Sequence, residues 1–293
     1  MSETTKMNKI NSIQELLFRV YRIDYNLRLP NWSIPRTDRP YTVFWYVKSG
    51  RKTVFINDIE YTVKKGDLVV FPSDIPFEIV KSERAELEHY EIALSIHFGP
   101  YNLMSIYKLP IVSSIDKHMT LIKLWEQLEK DWHTNIKYLY KSDSTLHENE
   151  LDDIICLSDF YATTLEWFRY IVSTLKGNTE SLFPNIDSRL RSIFYYVNEN
   201  ISKKITLEEL ADLIYVSKSH LIYLFKEYIG QPPMDYVKKI KIQKAKELLL
   251  TTKLPLNKIS ERIGYDNQSQ FSRAFRQDTG MSPTAYRNSE QLF

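Results

Sequence analysis

A repeat of about fifty residues in the last third of the chain limits its fold more than any other feature. "SKSHLIYLF", from Ser217, is echoed by "NQSQFSRAF", from Asn267. Each stretch opens on a side-chain oxygen able to cap a helix N-terminus. Apolar residues follow four, seven and eight positions later: Leu221, Leu224 and Phe225, then Phe271, Ala274 and Phe275. That spacing makes one face of a helix. Upstream of each lies a shorter amphipathic run, "TLEELADLI" with a capping box from Thr206 to Glu209, and "LNKISERI". Both carry a small residue, Ala211 or Ser260, where two helices would cross, and a turn four residues later, at Tyr215 or Gly264. Support helix, turn and second helix make a helix-turn-helix, so the pattern predicts two of them, at about 206–228 and about 256–278.

The joining segment, "PMDYVKKIKIQKAKELLLTT", reads as a helix from Pro233 to Thr251 carrying Lys238, Lys239, Lys241, Lys244 and Lys246. Its length would be about 28 Å at about 1.5 Å per residue. Helices held that far apart can reach successive major grooves, about 34 Å apart, given slight DNA bending or helix tilt. Charge is distributed to match: from residue 187 onward 17 Lys or Arg stand against 12 Asp or Glu, while the chain as a whole has 39 against 37. A mildly acidic front and a basic back suit a sensor joined to an anion binder.

From Arg189 to Arg287 the sequence closely resembles the DNA-binding domain of AraC-type bacterial transcription regulators. The residues that carry the resemblance are Ile263-Gly264-Tyr265, Phe271-Ser272-Arg273, Phe275, Gly280, Ser282-Pro283 and Tyr286-Arg287. The resemblance implies that residues two, five and six places after each N-cap face bases. These are Ser219, Ile222 and Tyr223 in the first copy, and Ser269, Ser272 and Arg273 in the second, with Gln268 beside them. Arg273 suits guanine O6/N7 and Gln268 suits adenine, whereas Ile222 and Tyr223 suit thymine methyls or the sugar–phosphate wall. Lys218, His220, Lys226, Gln270 and Arg276 are the candidate phosphate binders. Three positions depart from the family pattern. Tyr215 stands for Gly in the first turn, which at positive φ costs on the order of 1 kcal/mol and predicts a reshaped turn. Lys241 stands for Arg, weakening any planar carboxylate or phosphate contact, and Ser260 stands for Ala.

The front reads as strands. "YTVFWYVKSGRKTVFINDIEYTVKKGDLVVFPSDIPFEIV" is rich in β-branched and aromatic residues, with turn signals at Ser49-Gly50, Asn57-Asp58 and Lys65-Gly66, and "YEIALSIHF" adds a further strand. The region resembles the cupin-like effector domain of many AraC-type regulators. Cupin enzymes hold a metal on histidines, but here those motif positions are Ile56, Asp58 and Phe77, so no zinc or iron site can be assembled from them. His89 and His97 read as ordinary, partly buried histidines on neighbouring strand-like segments. Among the aromatics Trp32, Tyr41, Phe44, Trp45, Tyr46 and Phe55, the effector candidates are Trp32, Tyr41, Trp45 and Tyr46, since flat rings suit sugars. Beyond residue 115 the period turns helical: Leu121, Leu124, Trp125, Leu128 and Trp132 form one stripe, and a second helix covers Leu151 to Leu175. In the family this region pairs subunits. Gly177 to Asp187 reads as a linker.

The expected architecture is α+β and multidomain: a cupin-like antiparallel β-barrel over 1–114, a helical dimerisation and linker region over 115–180, and an all-α domain with two helix-turn-helix motifs over 187–288. No apolar run approaches the roughly 20 residues that cross a bilayer. "MSETTKMNKI" lacks the layout of a secretion signal, and the single Cys156 leaves no internal disulfide. The expected protein is a cytoplasmic, sequence-specific transcription activator, working as a homodimer. Its expected partners are double-stranded DNA, RNA polymerase and a small effector such as a sugar, with no cofactor, metal or catalytic residue. Two alternatives stand beside it: an effector-independent regulator controlled by abundance or a protein partner, and a sugar-binding cupin enzyme with a vestigial helical domain.

Overall fold

The computed structural model of the chain describes residues 16–81, 86–98, 101–115, 118–136, 150–181 and 187–289. They fall into two compact units, one holding Phe18–Ile96 with Tyr107–Ser181, the other holding the described residues from 187 onward together with residues 16–17, 97–98 and 101–106.

In the first unit antiparallel strands follow in the order β1 (Leu16–Arg28), β2 (Ile34–Thr37), β3 (Thr42–Ile56), β4 (Ile59–Lys64), β5 (Asp67–Phe71), β6 (Phe77–Ile79) and β7 (Leu87–Phe98). Strand β3 organises them because it serves two layers. Its front part, Thr42–Tyr46, pairs with β5 and β7, and its rear part, Arg51–Ile56, pairs with β4 and β6. The bend lies where the register shifts between Val47 and Ser49, followed by Gly50 at φ 89°. A Cβ on Gly50 would lie 1.9 Å from the Glu86 carbonyl oxygen, so only glycine lets the neighbouring backbone come this close. The turn expected at Ser49-Gly50 is therefore a bulge inside one continuous strand. Asn57 and Asp58, at φ 51° and 63°, do make a two-residue hairpin turn. Strand β1, outside the stretch that reads as strands, borders β7.

Helices α1 (His118–Asp131) and α2 (Glu150–Leu175) follow in the same unit. Leu121, Trp125, Leu128 and Trp132 are buried, as are Phe160, Trp167 and Ile171 of α2. Trp167 packs edge-on against both Trp125 and Phe44, each at 5.3 Å, so the helices cover the face of β3 that carries Phe44. Most of "KSDSTLHENE", and residues 182–186 of the expected linker, lie outside the described residues.

The second unit comprises α3 (Ser188–Glu199), α4 (Leu207–Leu213), α5 (Lys218–Ile229), α6 (Pro233–Thr251), α7 (Leu256–Arg262), α8 (Gln268–Thr279) and α9 (Pro283–Ser289). It holds two separate cores. Leu190, Ile193, Leu210, Leu221, Phe225 and Val237 belong to the first, whereas Ile242, Leu249, Ile259, Phe271, Phe275 and Tyr286 belong to the second. Helix α6 passes from one core to the other between Val237 and Ile242. The repeat extends further than its sequence signal: "GQPPMDY" sets Tyr236 on Phe225 at 5.7 Å, and "GMSPTAY" sets Tyr286 on Phe275 at 5.4 Å. Each half is thus closed by a tyrosine from the helix that follows its helix-turn-helix.

Candidate DNA-reading helices and a polar barrel interior

Helices α5 and α8 are built alike. Each has 12 residues; Ser217 Oγ accepts from the His220 amide at 3.2 Å, Asn267 Oδ1 from the Gln270 amide at 2.9 Å, and each helix ends on a glycine at φ 76°. With about 3.6 residues per turn, Ser219, Ile222, Tyr223 and Lys226 fall opposite the buried Leu221, Leu224 and Phe225. Ser269, Ser272, Arg273 and Arg276 occupy the matching positions of α8. Ser219, Tyr223, Gln268, Ser269 and Arg273 are exposed, and Ile222 and Ser272 are half-buried beside them. The structure thus gathers Ser219, Ile222, Tyr223, Ser269, Ser272 and Arg273 on the outward faces, whereas Gln268, exposed in the first turn of α8, lies about 100° round the helix from Ser269. Of the phosphate candidates, Lys226 and Arg276 share that face, and Gln270 is exposed at its flank. Lys218 is already paired with Glu208 at 2.7 Å, and His220 stacks on Tyr223 at 6.1 Å.

The turns ahead of these helices are closed by the same pair of bonds. Tyr215 N donates to Asp212 O and Val216 N to Ala211 O; Gly264 N donates to Glu261 O and Tyr265 N to Ser260 O. Both are Schellman motifs, with Tyr215 at φ 56° and Gly264 at φ 68°. The first turn is therefore not reshaped, contrary to the expectation from Tyr215: closing two helix carbonyls outweighs a left-handed penalty of about 1–2 kcal/mol. Tyr215 itself is 96% exposed.

The lysines of α6 also depart from expectation. Lys241 and Lys246 are buried, Lys246 against the Tyr286 ring; Lys238 donates to Gln277 Oε1 at 2.8 Å, and Lys244 pairs with Glu247 at 3.0 Å. Much of this helix's positive charge latches the domain together and is not presented to an outside anion. Lys241 binds carbonyls, at Lys203 and Gly264, where a planar carboxylate or phosphate contact was in question. Burial pushes its pKa down, countered in part by Asp266.

In the barrel, the pleat sends alternate residues of β3 to opposite faces. Trp45 faces the interior, 4.3 Å from the His89 ring and 6.1 Å from Trp32, with its indole N–H donating to Glu91 Oε2 at 2.9 Å. Arg22 also donates to Glu91, and Arg28 lies 4.7 Å over the Trp32 ring. Tyr41, on the same face, stacks on Tyr21 at 4.6 Å and accepts from Arg39 at 3.0 Å. Tyr46 belongs to the other face, with Phe44, and looks toward Tyr170 of α2, so it does not join Trp32, Tyr41 and Trp45. Burial opposes charge on Glu91, but the Arg22 guanidinium outweighs it and holds the carboxyl far below the usual range. Burial likewise lowers the His89 pKa, which keeps the ring neutral near pH 7. Both His89 ring nitrogens, Arg28 Nε and Asn26 Nδ2 are buried without a protein hydrogen-bond partner, His89 Nε2 standing 3.6 Å from Glu91 Oε2.

Arg22, Arg28 and Glu91 escaped the sequence reading; the signal that could have found them is charge placed within alternating apolar strands. His89 and His97 lie on one strand, eight residues apart, and so about 26 Å from each other at about 3.3 Å per residue. They cannot share a ligand. Of the cupin motif positions, Ile56 and Phe77 are buried apolar residues, and Asp58 sits in the exposed hairpin turn paired with Arg36.

A family model described as an AraC-like ligand binding domain matches residues 23–97, and one described as a helix-turn-helix domain matches residues 210–289. The arabinose operon regulatory protein of Salmonella typhimurium is 33% identical over 109 residues, 37% of this chain and 39% of that protein. The probable transcriptional regulator LumQ of Photobacterium leiognathi is 36% identical over 31% of this chain and 37% of its own length. The chain thus spans about two-fifths of the length of these relatives. A longer match, at 24% identity over 87% of this chain and 88% of the relative, is to the lactose operon transcription activator of Staphylococcus xylosus. Among solved structures, ToxT of Vibrio cholerae shares the fold, with a TM-score of 0.52 at 12% identity over 94% of this chain and 97% of that one. The chain belongs to the AraC family of transcriptional regulators, with an AraC-like ligand-binding domain ahead of a DNA-binding helix-turn-helix domain.

Proposed function

We propose that the chain is a sequence-specific transcription activator that lays α5 and α8 into successive major grooves and responds to a small, oxygen-rich effector of the carbohydrate class. The observation that carries the DNA half is the twin outward face: Ser219, Ile222 and Tyr223 on one helix, opposite buried Leu221, Leu224 and Phe225, and Ser269, Ser272 and Arg273 on the other, opposite buried Phe271 and Phe275. Ser272 and Arg273 supply hydrogen bonds to base edges, Ile222 and Tyr223 apolar contact, and Lys226, Gln270 and Arg276 the phosphate contacts that fix register.

For the effector, Trp32 offers a flat ring beside donors of Arg28 and His89 that have no protein acceptor. Rings bearing many oxygens match that combination. The arabinose and lactose operon regulators among the relatives support the same class and an activating role. Helix α2 is buried on one side and carries exposed Leu151, Ile155, Leu165 and Val172 on another, which supports homodimerisation through it. RNA polymerase is then the partner at the promoter, in the cytoplasm. Among the described residues no helix is long and apolar enough to cross a membrane.

Anisotropy titration against duplexes from upstream of the gene tests this reading. The affinity should fall linearly in log–log terms as salt rises, from counterion release. Thermal-shift screening of neutral sugars should find one that raises the melting temperature; if none does, the effector-independent alternative replaces the sensor half of the proposal.

A further inference from the structure

We propose that Lys241 sets the spacing at which the two recognition helices read DNA; the inference rests on α5 and α8 being the DNA-reading elements. Lys241 stands at the one place in α6 where the helix leaves the first core, at Val237 and Ile240, and enters the second, at Ile242. Its ammonium, 7% exposed as a residue, donates to Lys203 O at 2.9 Å and to Gly264 O at 2.8 Å. The first carbonyl lies in the loop between α3 and α4, in the first half. The second lies in the turn of the second helix-turn-helix, three residues before the N-cap of α8.

Gly264 is fitted to this link. A Cβ there would sit 2.6 Å from Lys241 Nζ and 2.7 Å from the carbonyl oxygens of Ile201 and Lys203. The loop of the first half therefore closes directly on the turn that aims α8, with a single ammonium bonded to both. Beside this bridge lies a cleft of about 550 Å³ between Ser202 and Lys204 of one half and Ser260, Glu261 and Asp266 of the other. Besides the bridge and its backbone contacts, the halves are joined by α6, whose Lys238 also donates to Gln277 of α8 at 2.8 Å on the surface; an unbraced helix bends as an elastic rod. Two hydrogen bonds from one buried cation convert that rod into a braced strut. The distance between α5 and α8, and so the number of base pairs between half-sites, follows from the brace.

Selection of binding sites from a random duplex library, run in parallel on the full chain and on Lys241→Met, tests the proposal. The parent should return two motifs at one fixed spacing. Lys241→Met, which keeps the stem and loses the donors, should return the same two motifs over a range of spacings. Its preference for the best site over a site lengthened by one base pair should fall about tenfold, the scale of lost charge-assisted hydrogen bonds. Lys241→Arg, which retains charge and donors, should keep a single spacing. If Lys241→Met binds more weakly but at the parent's one spacing, the lysine is a stabilising residue only and the proposal is overturned. Should Lys241→Met melt too low to assay, Lys241→Gln carries the same test with the same two outcomes. A parent that returns one motif alone would instead overturn the two-helix reading on which the inference rests.

Discussion

Tyr215 and Gly264 hold the same place in twin turns, closed by the same two backbone bonds, yet their surroundings have little in common. Tyr215 stands almost wholly in solvent, whereas Gly264 is wedged against Lys241 Nζ and two carbonyls of the other half. The Schellman geometry is therefore a property of the motif, and the residue at its left-handed position answers to what lies outside. In the first half nothing presses on the turn, so a side chain is tolerated at the cost of strain. In the second half the turn is the seam between halves, and only glycine fits. The path onward differs too: one residue, Val216, separates Tyr215 from the N-cap Ser217, while Tyr265 and Asp266 separate Gly264 from Asn267. The path to α8 is thus one residue longer than the path to α5, and the two helices carry different chemistry, apolar on α5 and hydrogen-bonding on α8.

The largest effects should come from testing whether the halves are independent. Phe225→Ala or Phe275→Ala should each cost about 3–5 kcal/mol. Because the cores are separate, hydrogen exchange should show protection lost chiefly in the substituted half; equal loss in both would mean one cooperative core. Next in size are the reading faces. Arg273→Ala should lose about 1–3 kcal/mol of discrimination at a single base position in competition binding. Tyr223→Ala should weaken all duplexes more evenly. If the two variants give the same pattern, the division of labour between α5 and α8 is wrong. The smallest effect concerns the turns: Tyr215→Gly should raise stability by up to about 1 kcal/mol, since relief of the left-handed strain is partly offset by added chain entropy. Gly264→Ala should lower it by more, from strain and crowding together, and urea denaturation of the two variants reads the difference.

The second unit was the more legible in sequence because its repeat fixes helices, caps and turn positions by spacing alone. Ser217 and Asn267 cap as their residue types require, and the faces of α5 and α8 follow from the apolar triads. The brace was not legible: Lys241 sits in a run of lysines that reads as a basic face, and only three-dimensional placement shows which of them turn inward. In the barrel, aromatic content announced a strand-rich core without saying which ring faces which way. Strand parity separates Tyr46 from Trp45, but it becomes usable only once the Gly50 bulge shows that β3 is a single strand. A glycine between strand-like runs reads as a turn because the close approach of Glu86 depends on contacts distant in sequence. Glu91 and Arg22 stayed hidden for the same reason: a charged residue in a strand normally signals a solvated face, and here the two neutralise each other inside. Membership of a non-enzymatic family removes the cupin-enzyme alternative.

Hydroxyl-radical footprinting of the chain on a selected duplex measures the arrangement of the two reading helices most directly. With α6 spanning 19 residues, or about 28 Å, between them, two protected patches should appear on one side of the duplex, centred about 10 base pairs apart. A single patch, or protection on opposite sides of the helix, would contradict the account.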